Sequence, residues 1–104
     1  MTRRLIYRPE ALAELDEIAA YTRLTWSAEQ AKRYVGALVT DIKRLRTSAK
    51  RYPLFSQVYP GLRRKRSAMH HIYFLAFDDR VEILRIMHVQ RDPGRHLKVE
   101  DWKD

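Results

Sequence analysis

The chain has 104 residues, of which 45% are hydrophobic, and a formal charge of +8, which fits one domain with one core. It contains no cysteine, which excludes disulfides and thiolate metal sites and favours a cytoplasmic protein. The longest apolar run, Ile72–Phe77, has six residues, far short of the ~20 that a membrane-spanning helix needs.

A short strand and a helix are predicted at the start of the chain. Arg4–Tyr7 is the strand candidate, and Pro9 suits the first turn of a helix because its ring fixes φ and it has no N–H to satisfy. Apolar residues then recur at three- and four-residue spacing, which predicts one buried stripe on a helix from about Pro9 to Thr25. The stripe consists of Leu12, Leu15, Ile18, Ala19 and Thr22. The basic segment before it lacks the long apolar centre of a signal peptide.

A second helix is predicted to begin after Ser27. Ser27–Gln30 has the form of a capping box, in which the serine hydroxyl and the glutamine side chain each satisfy a free backbone amide. The 3.6-residue period then continues to about Ala49. Its apolar positions are Ala31, Tyr34, Val35, Leu38, Ile42 and Leu45. Only Trp26 and the cap separate the two helices, which favours an antiparallel pair over one long bent helix.

Three strand-like segments follow. Pro60-Gly61 marks a turn before the basic segment Gly61–Arg66. His71–Phe77 and Val81–Val89 are rich in β-branched and aromatic residues, which predicts a hairpin with its tip near Asp79. Both faces of the first hairpin strand are apolar, which is typical of a central strand covered on its two sides.

The predicted order is β-α-α-β-β-β, an α+β fold with one domain over residues 1–104. The N-terminal strand and the antiparallel helical hairpin are expected to pack on one face of a small, mainly antiparallel sheet. Strict alternation along the last strand would place Leu84, Ile86 and His88 together on one face. Residues 93–104 are expected to form a polar tail or a short helix.

The positive charge is concentrated in the middle of the chain. From Lys32 to Arg66 there are eleven Lys or Arg residues against one acid, whereas the rest of the chain has ten against twelve. Such a local field favours anionic partners, although it can also be only a solvated surface. The basic segment contains Arg63, Arg64, Lys65 and Arg66. On a strand, two of these side chains should face each way.

A series of short motifs extends from residue 4 to about residue 97. They are Tyr7–Ala11, Ile18–Tyr21, Gly61–Arg64, Ile83–His88, Arg91-Asp92 and His96-Leu97. In this order and spacing they resemble the ParE branch of the RelE/ParE toxin superfamily. The resemblance implies the toxin of a type II toxin–antitoxin system, neutralised by a tightly bound ParD-like antitoxin protein. Contact with operator DNA is then expected only through the antitoxin, and contact with a membrane is not expected.

Within the superfamily, the ParE branch is described as inhibiting DNA gyrase without catalysis. Ile83–His88, followed by Arg91-Asp92, fits this branch better than the other one. The resemblance therefore implies gyrase as the target. No histidine and carboxylate spacing in the sequence resembles a metal site, so no metal or cofactor is expected.

The RelE branch is the first alternative, because its members cleave messenger RNA on the ribosome. That reaction needs cations around the scissile phosphate and a group that transfers a proton. Arg63, Lys65 and Arg91 would supply the cations. The family pattern places a tyrosine or histidine at the position of Leu97, which cannot transfer a proton. The adjacent His96 would therefore have to supply the proton transfer. A basic nucleic-acid-binding module is a second alternative.

Two sets of contact residues follow from these interpretations. The residues expected to bind the target are Arg63, Arg64, Lys65, Arg85, Arg91, Asp92 and Arg95. Those expected to bind the antitoxin are Tyr21, Trp26, Tyr34, Tyr52, Phe55, Tyr59, Arg64 and Arg66. The aromatic residues would form a groove for an amphipathic helix whose acids meet the basic strand, or would simply cover the end of the hairpin. For Arg85 the alternative is an ion pair with Glu14 or Glu17, and His88 is expected to be a hydrogen-bonded core residue.

Overall fold

A computed structural model of the chain describes residues 2–96. Its elements are β1 (Arg4–Tyr7), α1 (Pro9–Thr25), α2 (Ala28–Ser48), a 3₁₀ turn (Ala49–Arg51), β2 (Leu62–Ser67), β3 (His70–Ala76), β4 (Arg80–His88) and α3 (Pro93–His96). The predicted order of elements is confirmed. The expected tail is described as far as the short helix α3, and its remaining residues lie outside the described range. None of the described helices has the length and apolar character needed to cross a membrane.

Helix α1 buries a stripe that differs by one position from the predicted one. Ala11, Ile18 and Thr22 are buried, and Leu15 packs against the same core. Leu12 is 47% exposed, so its assignment to the stripe is wrong. Successive helical positions are rotated by about 100°, and the line that passes through Ala11 and Ile18 leaves Leu12 at the side of the helix.

Helix α2 begins with the predicted capping box. The Ser27 hydroxyl accepts a hydrogen bond from the Gln30 N–H at 3.1 Å, and the Ser27 N–H donates to the Gln30 side chain at 3.5 Å. Trp26 and Ser27 both have extended backbone conformations, which break the chain into two helices. The predicted hairpin is therefore confirmed, and its break is fixed by satisfied amides.

The sheet has four strands in the order β1-β4-β3-β2. β1 runs parallel to β4, whereas β4, β3 and β2 form an antiparallel meander. The helices pack on one face of it, over a core that includes Leu38, Ile42, Leu45, Ile72, Phe74, Val81 and Ile83. The predicted α+β architecture is thus confirmed, with β3 and β4 in the centre.

A β-bulge interrupts β4 where it pairs with β3. Tyr73 and Phe74 are adjacent on β3, but their partners on β4 are Arg85 and Ile83, so Leu84 is an extra residue. A bulge of this kind displaces the alternation of side chains by one position. Hydrophobic pattern alone does not reveal it, because Ile83, Leu84, Ile86 and Met87 are apolar and buried whichever face each of them occupies.

A second apolar cluster covers the sheet face that is turned away from the helices. It contains Leu62, Tyr73, Leu84 and Met87, with Phe55, Val58, Tyr59 and Leu75 packed against it. Ile86 lies in the helix-facing core instead, so the prediction that Leu84 and Ile86 share a face is wrong. The loop over residues 52–61 closes this second cluster, and its Phe55 N–H donates to the Leu62 carbonyl at 2.6 Å.

Candidate binding surfaces

A pocket of about 510 Å³ lies where the turn of the helical hairpin meets the ends of β3 and β4. Its apolar walls include Ile18, Tyr21, Trp26, Tyr34, Met69 and Ile86. Polar side chains complete the lining, among them Glu17, His70, His88 and Arg91. A mainly apolar hollow with few polar groups is typical of a binding site.

Large apolar side chains are exposed around this pocket. Tyr21 is 64% exposed, Trp26 40%, Met69 47% and the neighbouring Leu24 88%. Scattered apolar residues are normal on a protein surface, but a contiguous group marks an interaction site. Three of the predicted antitoxin-binding aromatics, Tyr21, Trp26 and Tyr34, belong to this surface, which we call the hairpin pocket.

Met69 and His70 were not predicted to take part in this surface. They lie at the tight turn between β2 and β3, where Ala68 adopts a positive φ of 52°. The turn projects Met69 beside the end of the hairpin, although the two are far apart in sequence. The one sequence signal is an exposed methionine in a turn, and such a signal is too weak to place a site.

A hydrogen-bonded pair forms one wall of the hairpin pocket. The Tyr34 hydroxyl accepts from the Met69 N–H at 3.2 Å and lies 2.6 Å from His70 Nδ1. Since the hydroxyl already accepts a hydrogen bond from that amide, its own proton is available to His70, which requires a neutral imidazole. Burial, and secondarily the charge of His88, lowers the pKa of His70 from 6.5 to about 4. The wall is therefore uncharged at neutral pH.

His88 is hydrogen-bonded as expected, but it is only part-buried and lines the hairpin pocket instead of lying in the core. Its Nδ1 accepts from the Gln90 N–H at 3.1 Å, and its ring lies edge-on to that of His70, with the ring centres 5.6 Å apart. The two histidines are direct partners across β3 and β4. This contact extends the wall of the pocket from Tyr34 to the end of the sheet.

Exchanging His70 for glutamine is expected to flatten the acid branch of the stability profile. Unfolded His70 binds a proton near pH 6.5, whereas the folded residue resists protonation down to about pH 4. Stability present above pH 6.5 is therefore lost as the pH falls through this window. Because the ring is only half-buried, screening limits the effect to about 1 kcal/mol. Urea unfolding of both proteins at pH 4.5 and pH 7.5 measures it, and equal pH slopes would contradict it.

The other predicted aromatics lie elsewhere. Tyr52 packs edge-on against Phe74 in the helix-facing core, with ring centres 6.3 Å apart. Phe55 and Tyr59 pack on the opposite face of the sheet. The structure therefore does not bring the six predicted aromatics into one groove, because the sheet itself separates them.

The cations of β2 alternate across the strand as predicted. Arg63 and Lys65 pair with the helix-facing residues of β3, whereas Arg64 and Arg66 lie in register with residues of the other face. Arg63 Nη1 donates to the Tyr52 carbonyl at 2.6 Å, and Lys65 Nζ lies 5.1 Å from the Tyr52 ring. This pair is therefore occupied in holding the loop that follows α2.

Arg64 and Arg66 occupy the face turned away from the helices. The Arg64 guanidinium stacks 4.4 Å from the centre of the Phe55 ring, and Arg66 Nε donates to the Ala68 carbonyl at 2.8 Å. No acidic side chain within residues 2–96 forms an ion pair with any of the four β2 cations. Their field is therefore available to a partner.

Arg85 is held by a carboxylate of α1, as its alternative interpretation predicted. Its Nη2 and Nε lie 2.7 and 3.0 Å from Glu14 Oε2, and the other oxygen of Glu14 accepts the Ile86 N–H at 2.8 Å. Both side chains are largely buried, with exposed fractions of 17% and 16%. The carboxylate thus provides a hydrogen-bond partner for a backbone N–H of β4 at a position beyond the last residue that pairs with β1.

The loop after β4 presents its three predicted contact residues, Arg91, Asp92 and Arg95, to solvent. Arg91 lies at the mouth of the hairpin pocket, and Arg95 is exposed on α3. The Asp92 carboxylate accepts the Gly94 N–H at 2.9 Å, which caps the short helix. The side chain of His96 lies outside the part of the chain that the structure describes.

The cations of the alternative ribonuclease site lie in two places. Arg63 and Lys65 are two residues apart on the edge strand β2. Arg91 follows the end of β4, roughly 13 Å along the sheet from Arg63 and roughly 10 Å across it. The Arg63 guanidinium is also held by the Tyr52 carbonyl, so the three cations are not gathered at one site in this structure.

Comparison with known proteins identifies the family. Residues 5–93 match the family model described as the ParE toxin of the type II toxin–antitoxin system parDE. Toxin ParE of Escherichia coli is 36% identical over 70 residues, which cover 67% of this chain and 68% of the relative. Toxin ParE1 of Caulobacter vibrioides is 31% identical over 90 residues, covering 84% and 90%.

The fold agrees with a solved structure. A chain of the chromosomal ParDE TA system from P. aeruginosa superposes with a TM-score of 0.74 at 24% identity, covering 86% of this chain and 98% of that one. The structural likeness supports the fold, whereas the family model and the sequence relatives support the assignment. The chain belongs to the ParE family, the toxins of type II toxin–antitoxin systems of the parDE kind.

Proposed function

We propose that this toxin inhibits DNA gyrase by protein–protein binding and is neutralised by a ParD-like antitoxin. The family supports this target, and the absence of cysteine favours the cytoplasm as the place of action. The observation that carries the proposal is the hairpin pocket, an exposed apolar hollow with Arg91 in its lining. An apolar hollow with a cation at its mouth suits a partner with apolar anchors and acidic residues.

The hairpin pocket is the surface that we assign to the antitoxin. An amphipathic helix could place its apolar side chains between Tyr21, Trp26 and Met69, because their exposed rings and thioether line an open hollow. Acidic residues of the same helix would then meet Arg91 at the mouth. No conformational change is required, since the pocket is already open in the free chain.

The loop after β4 is the surface that we assign to the target. Arg91 and Arg95 are exposed there, and exposed loop residues on a rigid scaffold commonly carry function. Arg85 contributes indirectly in this proposal, because Glu14 holds its guanidinium. The same carboxylate fixes the end of β4 and therefore the position of the loop.

A supercoiling assay tests the proposed target. The purified toxin should block supercoiling of relaxed plasmid by gyrase and cause linear, cleaved DNA to accumulate, and added antitoxin should restore activity. Arg91→Gln/Arg95→Gln should need more protein for the same inhibition. The control is Arg23→Gln, which removes an exposed charge from α1.

Ribonuclease activity is the competing outcome of this assay. Primer extension on ribosome-bound messages should show no new ends when the toxin is added. Codon-specific cuts with supercoiling unaffected would contradict the proposal. They would also require a catalytic arrangement other than Arg63, Lys65 and Arg91, because Arg91 follows the end of β4 whereas Arg63 and Lys65 lie together on β2.

A further inference from the structure

The sheet face turned away from the helices carries a compact cluster of cations and one imidazole. Arg66 and His71 are direct partners across β2 and β3, and the next pair along the same face is Arg64 with Tyr73. Directly opposed residues have Cβ atoms about 5 Å apart, and positions i and i+2 of a strand are about 7 Å apart. The two guanidinium groups therefore flank His71 on one surface.

The electrostatic state of His71 agrees with this placement. Burial lowers its pKa most, and the charges of Arg64 and then Arg66 lower it further. Tyr73 packs against the ring from its own strand, and its β4 neighbour is the neutral Met87. The Nδ1 atom of His71 is buried and has no hydrogen-bond partner among residues 2–96. The cluster thus has positive potential and an imidazole whose hydrogen bonding is incomplete.

We infer that Arg64, Arg66 and His71 form a binding site for the phosphodiester backbone of a nucleic acid. Guanidinium groups match the geometry of phosphate oxygens and bind them through two hydrogen bonds at once. The Phe55 ring holds the Arg64 guanidinium flat at 4.4 Å, which leaves its N–H groups free at the edges. Each phosphodiester has two charged oxygens, so the donor groups of this face can contact the successive phosphates of one backbone.

The edge of β2 argues against an acidic peptide as the ligand. A peptide strand that placed acids at every second position would need to pair with the outer edge of β2. That edge is already occupied at the Arg64 end of the strand, because Leu54 bridges to Arg63 and the Arg64 N–H donates to the Pro53 carbonyl at 3.3 Å. A nucleic acid needs only the side-chain heads, which face outward from the sheet.

Titration with labelled duplex DNA and, separately, with single-stranded RNA tests the site. Arg64→Gln/Arg66→Gln should weaken binding at least roughly tenfold near 0.1 M salt, and the dependence of log K on log salt should become shallower by about 0.9 per lost duplex contact or about 0.7 per lost single-strand contact. The nucleic acid whose binding is weakened more by the substitutions, duplex DNA or single-stranded RNA, is the one that the site prefers. Arg66→Gln alone, at an exposed position, serves if the double variant folds poorly.

The matched control is Arg23→Gln/Lys32→Gln, which removes two exposed charges from the helices. Equal losses in the two double variants would overturn the site in favour of general attraction by net charge. Nuclear magnetic resonance adds a local readout, because bound phosphate should raise the pKa of His71 above its value in the free protein. A pKa of His71 that does not change on binding would also overturn the inference. So would an Arg64→Gln/Arg66→Gln variant that no longer binds polyglutamate but still binds nucleic acid as the original protein does. None of these outcomes depends on gyrase, so the supercoiling assay remains a separate test.

Discussion

Replacing Glu14 with glutamine is expected to lower the free energy of unfolding by about 3 kcal/mol, which is the lower end of the range for breaking a buried ion pair. The carboxylate holds both nitrogens of Arg85 and the Ile86 N–H. Glutamine keeps the shape, but it presents a neutral amide to a cation that is only 17% exposed. The cost arises because the largely buried Arg85 loses the carboxylate that lies 2.7 Å from its Nη2.

Glu17→Gln is the matched control for this change. It makes the same exchange on the same helix at an exposed residue, and such substitutions usually alter stability by less than about 0.5 kcal/mol. Urea unfolding with circular dichroism measures both variants. Adding Arg85→Met to Glu14→Gln should recover part of the loss, since the buried cation is then removed as well. Equal stability of the two single variants would show that the ion pair contributes little.

The elements of the fold follow from local sequence signals. Pro9 and the capping box at Ser27 start the helices, and the spacing of apolar residues gives their lengths. The pairing of β1 with β4 is a different matter, because it joins residues that lie about three quarters of the chain apart. A strand of four residues contains no information about its neighbour, so only the packed structure reveals that β1 lies beside β4.

The bulge at Leu84 shows where side-chain pattern fails. Alternation predicts faces correctly only while the register is constant, and an apolar strand that is covered on both sides conceals a shift. The consequence reaches the binding surface, since Ile86 lines the hairpin pocket although strict alternation placed it on the face of Leu84. An apolar residue can be buried equally well on either face of this strand, so the sequence does not show at which residue the faces exchange.

The binding surfaces were predictable in kind but not in place. An excess of aromatics indicated a groove, and Trp26 and Tyr34 do meet edge-on with ring centres 5.4 Å apart. Phe55 and Tyr59 are aromatic residues as well, yet they lie on the other side of the sheet. Sequence gives the number of apolar side chains, whereas their grouping depends on which face of the sheet each segment crosses.

Trp26→Ala is expected to weaken antitoxin binding by about 2 to 4 kcal/mol, the range of interface residues that dominate binding. Trp26 is 40% exposed and lies between the two helices at the rim of the hairpin pocket. A large rigid ring of this kind gains much from the removal of water when a partner covers it. The fold should tolerate the change, because the hydrogen bond that Trp26 makes to Thr22 at the end of α1 uses its backbone N–H.

Leu54→Ala provides the control, because Leu54 is 55% exposed but lies on the loop beside β2, away from the hairpin pocket. Calorimetric titration with purified antitoxin should give a Kd roughly 30-fold or more above that of the original toxin for Trp26→Ala, and an unchanged Kd for Leu54→Ala. In cells, the antitoxin should then fail to neutralise the Trp26 variant at levels that neutralise the control. If both variants bind equally well, the antitoxin occupies another surface, and the basic face of β2 becomes the place to search for it.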